Sequence, residues 1–379
     1  VATPEESAVQ ARKGDHLRLA AAADVEARTG AGWADVRLLH EALPVADRDA
    51  VDLGVDFLGR RLAAPLVIAG MTGGHPDASA VNTCLARAAQ RYGVAMGVGS
   101  QRAAMRRPEL TATYAVAREA APGAFLIGNV GAPQLIPQVT PDGATTPPLS
   151  LTEVRAALDS LRADALAVHL NYLQETVQPE GDRRALGALE AIAGLVAGLP
   201  LPVIAKETGA GTSRRSARLL ATTGVRALDV GGLGGTSFAA VEGLRAAQQG
   251  NETAARLGET FREWGIPTAV SVVAALPAGL PLIATGGIRN GLDAAKAIAL
   301  GAGLVGVARP LLRACLEGGE AAVGRWIEAF LAELRAAVFL AGAAGVSDLR
   351  GRPRIILGET RAWLAQLGYL ADAQQIPGD

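Results

Sequence analysis

The stretch Ala165-Leu-Ala-Val-His-Leu-Asn-Tyr-Leu-Gln-Glu175 decides how this chain is read. It opens as a short apolar run with a β-branched residue, the pattern of a buried strand. It then turns polar and places His169, Asn171, Gln174 and Glu175 within seven positions. A strand buried on both faces gains nothing by ending on four hydrogen-bonding groups unless they meet solvent, cap a turn or hold a ligand. The other strands of the chain have to separate these readings.

Outward from this stretch one unit repeats: a β-like run, a Gly-rich or polar turn, then an amphipathic helical segment. Strands are expected at Ala64–Gly70, Ala95–Ser100, Phe125–Val130, Ala165–Leu170, Pro202–Glu207, Ala227–Gly232, Pro281–Gly287 and Leu304–Pro310. Helices are expected near Ser79–Arg91, Thr111–Ala120, Thr152–Leu161, Arg184–Ala197, Thr212–Thr222, Thr268–Leu276 and Leu292–Leu300, with a long one over Ala321–Gly342. Strict βα alternation implies parallel strands, and eight of them predict an α/β fold of the closed (β/α)8 class, a TIM barrel. An open doubly wound sheet is the structural alternative. Residues 51–346 read as one barrel domain, 1–50 as an N-terminal arm, and 347–379 as a C-terminal extension with a helix near Glu359–Leu367. Two long segments interrupt the alternation, Gly131–Ser150 with its five prolines and Gly231–Gly265. Long loops in a compact barrel are usually lids or binding segments.

Composition narrows the class of function. Half of the 379 residues are hydrophobic, 46 are Gly, and the formal net charge is -1. No global field recruits nucleic acid or an acidic membrane, so an anionic ligand must be held by local Arg, Lys and backbone N–H groups. Cys84 and Cys315 are the two cysteines, each in a helix-like apolar pattern. They read as buried thiols rather than as a disulfide framework or a zinc site. The start, Val1-Ala-Thr-Pro-Glu-Glu6, is polar and acidic, unlike a signal peptide. Apolar stretches such as Ala297–Ala308 fall short of the roughly 18 residues of a membrane span. The expectation is a cytoplasmic protein with neither nucleic-acid nor membrane partners.

In a barrel the working residues sit past the C-terminal ends of the strands. In order, those ends read Gly70-Met-Thr-Gly-Gly74, Gly99-Ser-Gln-Arg102, Asn129-Val-Gly131, the opening stretch, Lys206-Glu207, Gly231-Gly-Leu-Gly-Gly-Thr-Ser237, Thr285-Gly-Gly-Ile-Arg-Asn-Gly291 and Ala308-Arg-Pro310. Gly after a strand is often only turn geometry, but eight such ends on one rim ask for more. Gly286, Gly287 and Gly291 would let backbone N–H groups approach a phosphate, with Arg289 and Thr236 beside them; helix capping is the plainer reading. Lys206 could be a Schiff-base lysine, a cation beside an anionic ring or a surface charge. Ser100 and Asn129 suit the edge of a heterocycle, and Gln101 and Arg102 follow closely enough to bind a second anion. Glu175 is the best metal candidate, because Mg²⁺ takes one or two protein carboxylates plus phosphate oxygens and water. His16, beside Arg12 and Lys13, could clamp a second phosphate or belong to a solvated basic arm.

Together these motifs resemble the type 2, FMN-dependent isopentenyl-diphosphate isomerases. The resemblance rests on Arg12-Lys13…His16, His40…Ala-Leu-Pro44, Met71-Thr-Gly-Gly74, Gly99-Ser-Gln-Arg102, His169-Leu-Asn…Gln174-Glu175, Lys206-Glu207, Gly234-Gly-Thr-Ser237 and Gly286-Gly-Ile-Arg289…Asp293…Lys296. It implies FMN across the barrel mouth, with Gly70, Met71, Thr72, Ser100, Asn129 and Lys206 at the ring. Thr236, Gly287, Ile288, Arg289, Ala308 and Arg309 would hold its phosphate. Arg12, Lys13, His16, Ser100, Gln101, Arg102 and Gln174 would bind an isoprenoid diphosphate, with Mg²⁺ bridging it to Glu175. His169, Asn171 and Gln174 would be the catalytic side chains lining the reacting carbons. The implied reaction of isoprenoid biosynthesis moves a double bond with no net redox change, reduced flavin transferring protons and NADPH serving only to reduce it at the start. A homotetramer or homo-octamer is implied as well. The chain departs from the family pattern at Gly14, at Tyr172 where Pro is expected, and at Ala308-Arg-Pro310. Two other readings share the barrel: an FMN-dependent 2-hydroxy-acid oxidoreductase, which would need a histidine base and paired arginines, and a catalytically idle flavin-binding barrel.

Overall fold

The computed structural model describes residues 14, 15, 17–139 and 143–374. Eight parallel strands close into a barrel in sequence order: β1 (Leu66–Ile68), β2 (Ala95–Gly97), β3 (Phe125–Gly131), β4 (Ala165–His169), β5 (Val203–Lys206), β6 (Ala227–Asp229), β7 (Leu282–Thr285) and β8 (Leu304–Val307). Closure sets the open-sheet alternative aside. The helices that follow these strands are α1 (Ala78–Tyr92), α2 (Ala112–Ala120), α3 (Leu151–Leu161), α4 (Ala188–Gly198), α5 (Arg214–Ala221), α6 (Thr268–Ala275), α7 (Gly291–Ala299) and α8 (Arg309–Leu340). All eight expected strands are present.

Strand alternation divides the core into two clusters. Val67, Ala95, Phe125, Ile127, Ala165, Ala167, Ile204, Ala227, Ile283 and Leu304 point inward and fill the barrel. Their neighbours Leu66, Ile68, Leu166, Val168, Val203 and Ala205 point outward and pack beneath the helices. A hairpin of Val55–Phe57 and Arg60–Leu62 stoppers the lower end, where Phe57 meets Phe125 edge-on at 6.0 Å. The period-2 rule then fixes what stands at the other end. Asn129, His169, Lys206, Asp229 and Thr285 continue the inward-facing rows. The upper layer of the barrel is therefore polar, although the strands below it are apolar.

The segment after β8 meets expectation in its second part and departs from it in its first. α8 starts at Arg309, twelve residues before the expected Ala321, and Pro310 lies in its first turn. Proline is well tolerated there because the first-turn N–H has no helical partner. Gly318 and Gly319 are non-helical, so two helices meet at a kink there, and the helix expected from Ala321 is the second of them.

The N-terminal and C-terminal segments are clasped together. Val36–Leu38 pairs antiparallel with Arg354–Ile356, and Asp35 accepts from Thr360 N at 2.9 Å. Trp33 links this clasp to the barrel: its ring N–H donates to Gly286 O, and its carbonyl accepts from Lys296 Nζ at 2.8 Å. The expected helix in the C-terminal segment spans Gly358–Gln366. The insertion after β6 holds two helices, Phe238–Gln248 and Glu252–Thr260, that pack closely through Gly243 and Gly258. No helix among the described residues is long and apolar enough to cross a membrane.

Candidate active site at the barrel mouth

Parallel register brings the polar strand ends level. Gly131 pairs with His169, His169 with Lys206, and Lys206 with Asp229. The Lys206 ammonium lies 3.1 Å from Asp229 Oδ2, and both side chains are largely buried. Asp229 also accepts from Thr285 Oγ1 at 2.9 Å and from Gly231 N. Lys206 Nζ donates to Glu207 O at 2.9 Å. This arrangement is built for a cation; a Schiff-base lysine needs a neutral amine.

His169 is set by its neighbour. Asn129 donates its amide N–H to Val98 O at 3.0 Å, so its Oδ1 is the acceptor for His169 Nδ1 at 2.8 Å. A neutral imidazole in this pair carries its proton on Nδ1, while Nε2 lies against Gly131. Gln101 sits behind Asn129. Its Oε1 accepts from Asn129 N, and its Nε2 donates to Ala157 O at 2.9 Å.

On the β6–β8 side the mouth is lined by backbone. Gly287 has φ 65, a left-handed conformation that favours glycine. A Cβ on Gly235 would stand 2.9 Å from Gly287 N, so a side chain there would fill the cradle. Such a cradle of bare backbone beside a helix start suits a phosphate. Arg289 and Arg309 flank it, and both reach Glu26, at 3.0 and 2.7 Å. Burial opposes ionisation of Glu26, but the two guanidiniums outweigh it and hold the carboxyl below its usual range. Arg309 further donates to the carbonyls of Ala20 and Ala23, so it anchors the N-terminal segment.

The β4 side is a different environment. Asn171 precedes the short helix Tyr172–Val177, which places Gln174 and Glu175 one turn on. Buried Glu175 accepts from Asn171 Nδ2 at 2.9 Å and from Asp182 N at 2.8 Å. Asn171 Oδ1 is buried with no hydrogen-bond partner among the described residues. A buried acceptor beside a buried carboxylate is the donor set a hard cation takes. Arg102 faces the same point and is held by Asp182 at 2.9 Å, which also accepts from Gln134. Gln174 donates to Glu242 Oε1 at 2.8 Å. Glu242 is fully buried and paired with Arg245, which in turn grips Glu180 with two hydrogen bonds.

A family model described as FMN-dependent dehydrogenase matches residues 146–355, from before β4 to beyond α8. Isopentenyl-diphosphate delta-isomerase of Methanosarcina barkeri is 48% identical over 98% of this chain and 99% of its own length. The protein of that name from Methanothermobacter thermautotrophicus is 46% identical over 94% of this chain and 96% of its own. That from Thermococcus onnurineus is 46% identical over 94% and 93%. The chain belongs to the isopentenyl-diphosphate delta-isomerase family. The family-model match makes it a member of the FMN-dependent type. Among solved structures, a mandelate oxidase point mutant with a monooxide FMN adduct aligns at TM-score 0.59 and 21% identity, covering 94% of this chain and all of that one. A lactate oxidase from Pediococcus acidilactici aligns at TM-score 0.63 and 14% identity, covering 94% and 96%. These two likenesses bear on the fold alone.

For this isomerase-family chain, one pocket gathers nearly every residue singled out from sequence. Gly70, Met71, Thr72, Ser100, Arg102, Asn129, His169, Asn171, Gln174, Glu175, Lys206, Thr236, Gly287, Ile288, Arg289, Ala308 and Arg309 all line it. Gln101 does not; its side chain is in the wall between β3 and α3. Arg12, Lys13 and His16 lie outside the described residues. Three residues of the site escaped the sequence reading. Asp229 shares an inward face with Ala227, so alternation along β6 was the signal for it. Asp182 and Glu242 had no such signal, being presented by a loop and by an insertion helix.

Proposed function

We propose that the chain interconverts isopentenyl diphosphate and dimethylallyl diphosphate, with FMN in its reduced form and Mg²⁺ on the diphosphate. The observation that carries this is the two-sided mouth. A glycine-lined cradle and the Lys206–Asp229 pair suit a flavin phosphate and ring on one side; Arg102, Asn171, Gln174 and Glu175 suit a metal-bound diphosphate on the other. Relatives at 46–49% identity bearing the isomerase name support the same reading.

An isolated alkene is weakly basic, so one carbon must receive a proton and an allylic carbon must lose one. Reduced FMN, when bound, supplies the proton donor and acceptor for this exchange. The chain's own groups hold and orient. Gly287, Ile288 and Thr236 would hold the cofactor phosphate, and Lys206, fixed by Asp229, would face the ring edge with Asn129 and Ser100. Glu175 and Asn171 Oδ1 would hold Mg²⁺, with Arg102 on the diphosphate and Arg12, Lys13 and His16 proposed to complete its grip. Gln174 is held at Nε2 by Glu242, which fixes the plane of its amide beside the reacting carbons. His169, oriented by Asn129, would line the reacting carbons.

NADPH as the initial reductant, a cytoplasmic location and a homotetramer or homo-octamer complete the proposal. Exposed apolar side chains on the outer face, including Trp264 and Leu219, suit self-association. A 2-hydroxy-acid oxidoreductase is disfavoured. It would need a histidine base and paired arginines, whereas on this rim His169 is held by Asn129 and followed by Asn171, Gln174 and Glu175, which suit a metal-bound diphosphate better. The test is anaerobic incubation with isopentenyl diphosphate, Mg²⁺ and prereduced FMN. Dimethylallyl diphosphate should accumulate without stoichiometric loss of NADPH; absence of product refutes the proposal.

A further inference from the structure

One buried carboxylate ties together the ends of three successive strands. Arg102 opens the short helix Arg102–Arg106 after β2, and Gln134 lies in the single turn Ala132–Leu135 after β3. After β4, the helix Tyr172–Val177 is followed by Gln178-Pro-Glu-Gly-Asp182, which turns back along it. Gly181 N donates to Gln178 O at 2.9 Å, and a Cβ on Gly181 would overlap Glu175 O, so this close return needs glycine. The turn lets Asp182 Oδ2 accept from Arg102 Nη1 at 2.9 Å and from Gln134 Nε2 at 2.6 Å. Asp182 N meanwhile donates to Glu175 Oε2 at 2.8 Å. Arg102, Gln134 and Glu175 line the mouth and Asp182 does not; its side chain is 9% exposed, against 27% for Arg102. Asp182 therefore reaches a ligand only through the groups it holds.

We propose that Asp182 is the positioning residue of the diphosphate clamp, holding Arg102 at a fixed spacing from the Glu175 carboxylate before substrate arrives. The inference rests on reading the β4 side of the mouth as the site of a metal-bound diphosphate. A guanidinium is a planar fork, so a grip on one nitrogen constrains the plane of the others. Among the described residues Asp182 is the only hydrogen-bond partner of the Arg102 side chain, and Nε and Nη2 remain for phosphate oxygens. Gln134 donates to the same carboxylate oxygen from the β3 side, which keeps that oxygen from swinging with the arginine. The N–H and the carboxylate of one residue are only a few covalent bonds apart. The arginine and the metal carboxylate thus keep one spacing, as a diphosphate that touches both requires. Without Asp182 the long Arg102 side chain would have to be ordered during binding, and affinity would fall by the entropy of doing so.

The probe is inorganic pyrophosphate with Mg²⁺, titrated calorimetrically into the FMN-loaded protein, so the readout does not depend on turnover. Asp182→Ala should weaken binding about tenfold, the cost of ordering a long side chain, with FMN content unchanged. Asp182→Asn keeps an oxygen within reach of Arg102 and should recover most of that loss. In an Arg102→Ala background, Asp182→Ala should have little further effect, because the group through which it acts is gone. Turnover of isopentenyl diphosphate by Asp182→Ala should show KM raised and kcat little changed. If Asp182→Ala does not take up FMN, Asp182→Ser, which leaves a polar atom in the buried site, serves the same cycle. Equal binding by the native and substituted chains, or an equal loss with and without Arg102, would overturn the proposal. So would Asp182→Asn binding as weakly as Asp182→Ala, since position would then not be what Asp182 supplies. Absence of pyrophosphate binding by the native chain would overturn the diphosphate reading itself, and the proposal with it.

Discussion

Replacing Asp229 by Asn tests whether the barrel mouth is organised around a fixed cation. Lys206 Nζ lies 3.1 Å from Asp229 Oδ2, with side-chain exposures of 14% and 6%. Removing one partner of a buried pair leaves an uncompensated charge, which costs about 3–5 kcal/mol. Asp229→Asn should lower unfolding stability by that amount, because the neutral amide leaves the buried Lys206 ammonium without a compensating charge. Lys206→Met should cost less, about 2 kcal/mol, because Asp229 retains Thr285 Oγ1 and Gly231 N as donors. The double variant removes both charges at once and should fall well short of the sum, giving a coupling energy of about 2 kcal/mol or more. The assay is urea unfolding of the flavin-free protein, so that ligand binding adds nothing to the folded side. Additive effects, or a change within about 0.5 kcal/mol for Asp229→Asn, would refute the reasoning, since that is the range of ordinary surface substitutions.

The remaining predictions concern separate parts of the mouth and its surroundings. Glu242→Ala should slow turnover about 10–100-fold with FMN affinity intact, since Gln174 loses the group that fixes its amide; an unchanged kcat would remove Glu242 from the positioning network. Glu175→Ala should raise the Mg²⁺ concentration needed for half-maximal activity, and a superimposable Mg²⁺ titration would exclude Glu175 as the ligand. Arg309→Ala should raise KM for the diphosphate about tenfold by releasing the segment around Glu26, leaving FMN affinity little changed; collapse of FMN binding at constant KM would instead make Arg309 a phosphate ligand. Burial pushes the carboxyl of Glu207 up to about 7, against hydrogen bonds from the N–H groups of Ala210, Gly209 and Gly211 and the charge of Lys206. A raised folded-state pKa gives stability that is fully present below about pH 4.5 and lost as pH rises through 7. Relative to Glu207→Gln, the native chain should therefore lose about 3 kcal/mol between those limits, and parallel stability curves for the two proteins would contradict this.

The eight strands were legible because buried parallel strands read as apolar runs followed by glycine-rich turns, and β1 to β8 do so in turn. The start of α8 was not. Ala308-Arg-Pro310 looks like a strand end, yet Pro310 is accommodated in the first turn of a short helix that runs up to the kink at Gly318-Gly319; only the helix beyond that kink was legible. Most of the mouth was legible for the same reason as the strands, since groups at strand ends inherit their direction from alternation. Gln101 shows the limit of adjacency. It stands between two pocket-lining residues, Ser100 and Arg102, but its amide is drawn into the wall by Asn129 N and Ala157 O. Glu242 shows the limit of spacing: nothing local links it to Gln174 until the insertion after β6 folds back over the β4 end. Cys84 and Cys315 were legible as buried thiols.

We propose that this mouth moves protons between the two double-bond isomers without net electron transfer. The most direct measurement is anaerobic turnover in deuterium oxide with prereduced FMN, Mg²⁺ and isopentenyl diphosphate. Mass spectrometry should show deuterium entering dimethylallyl diphosphate, and entering recovered isopentenyl diphosphate as equilibrium is approached, while NADPH stays constant. Product formed without deuterium, or formed only as NADPH is consumed mole for mole, would contradict the account.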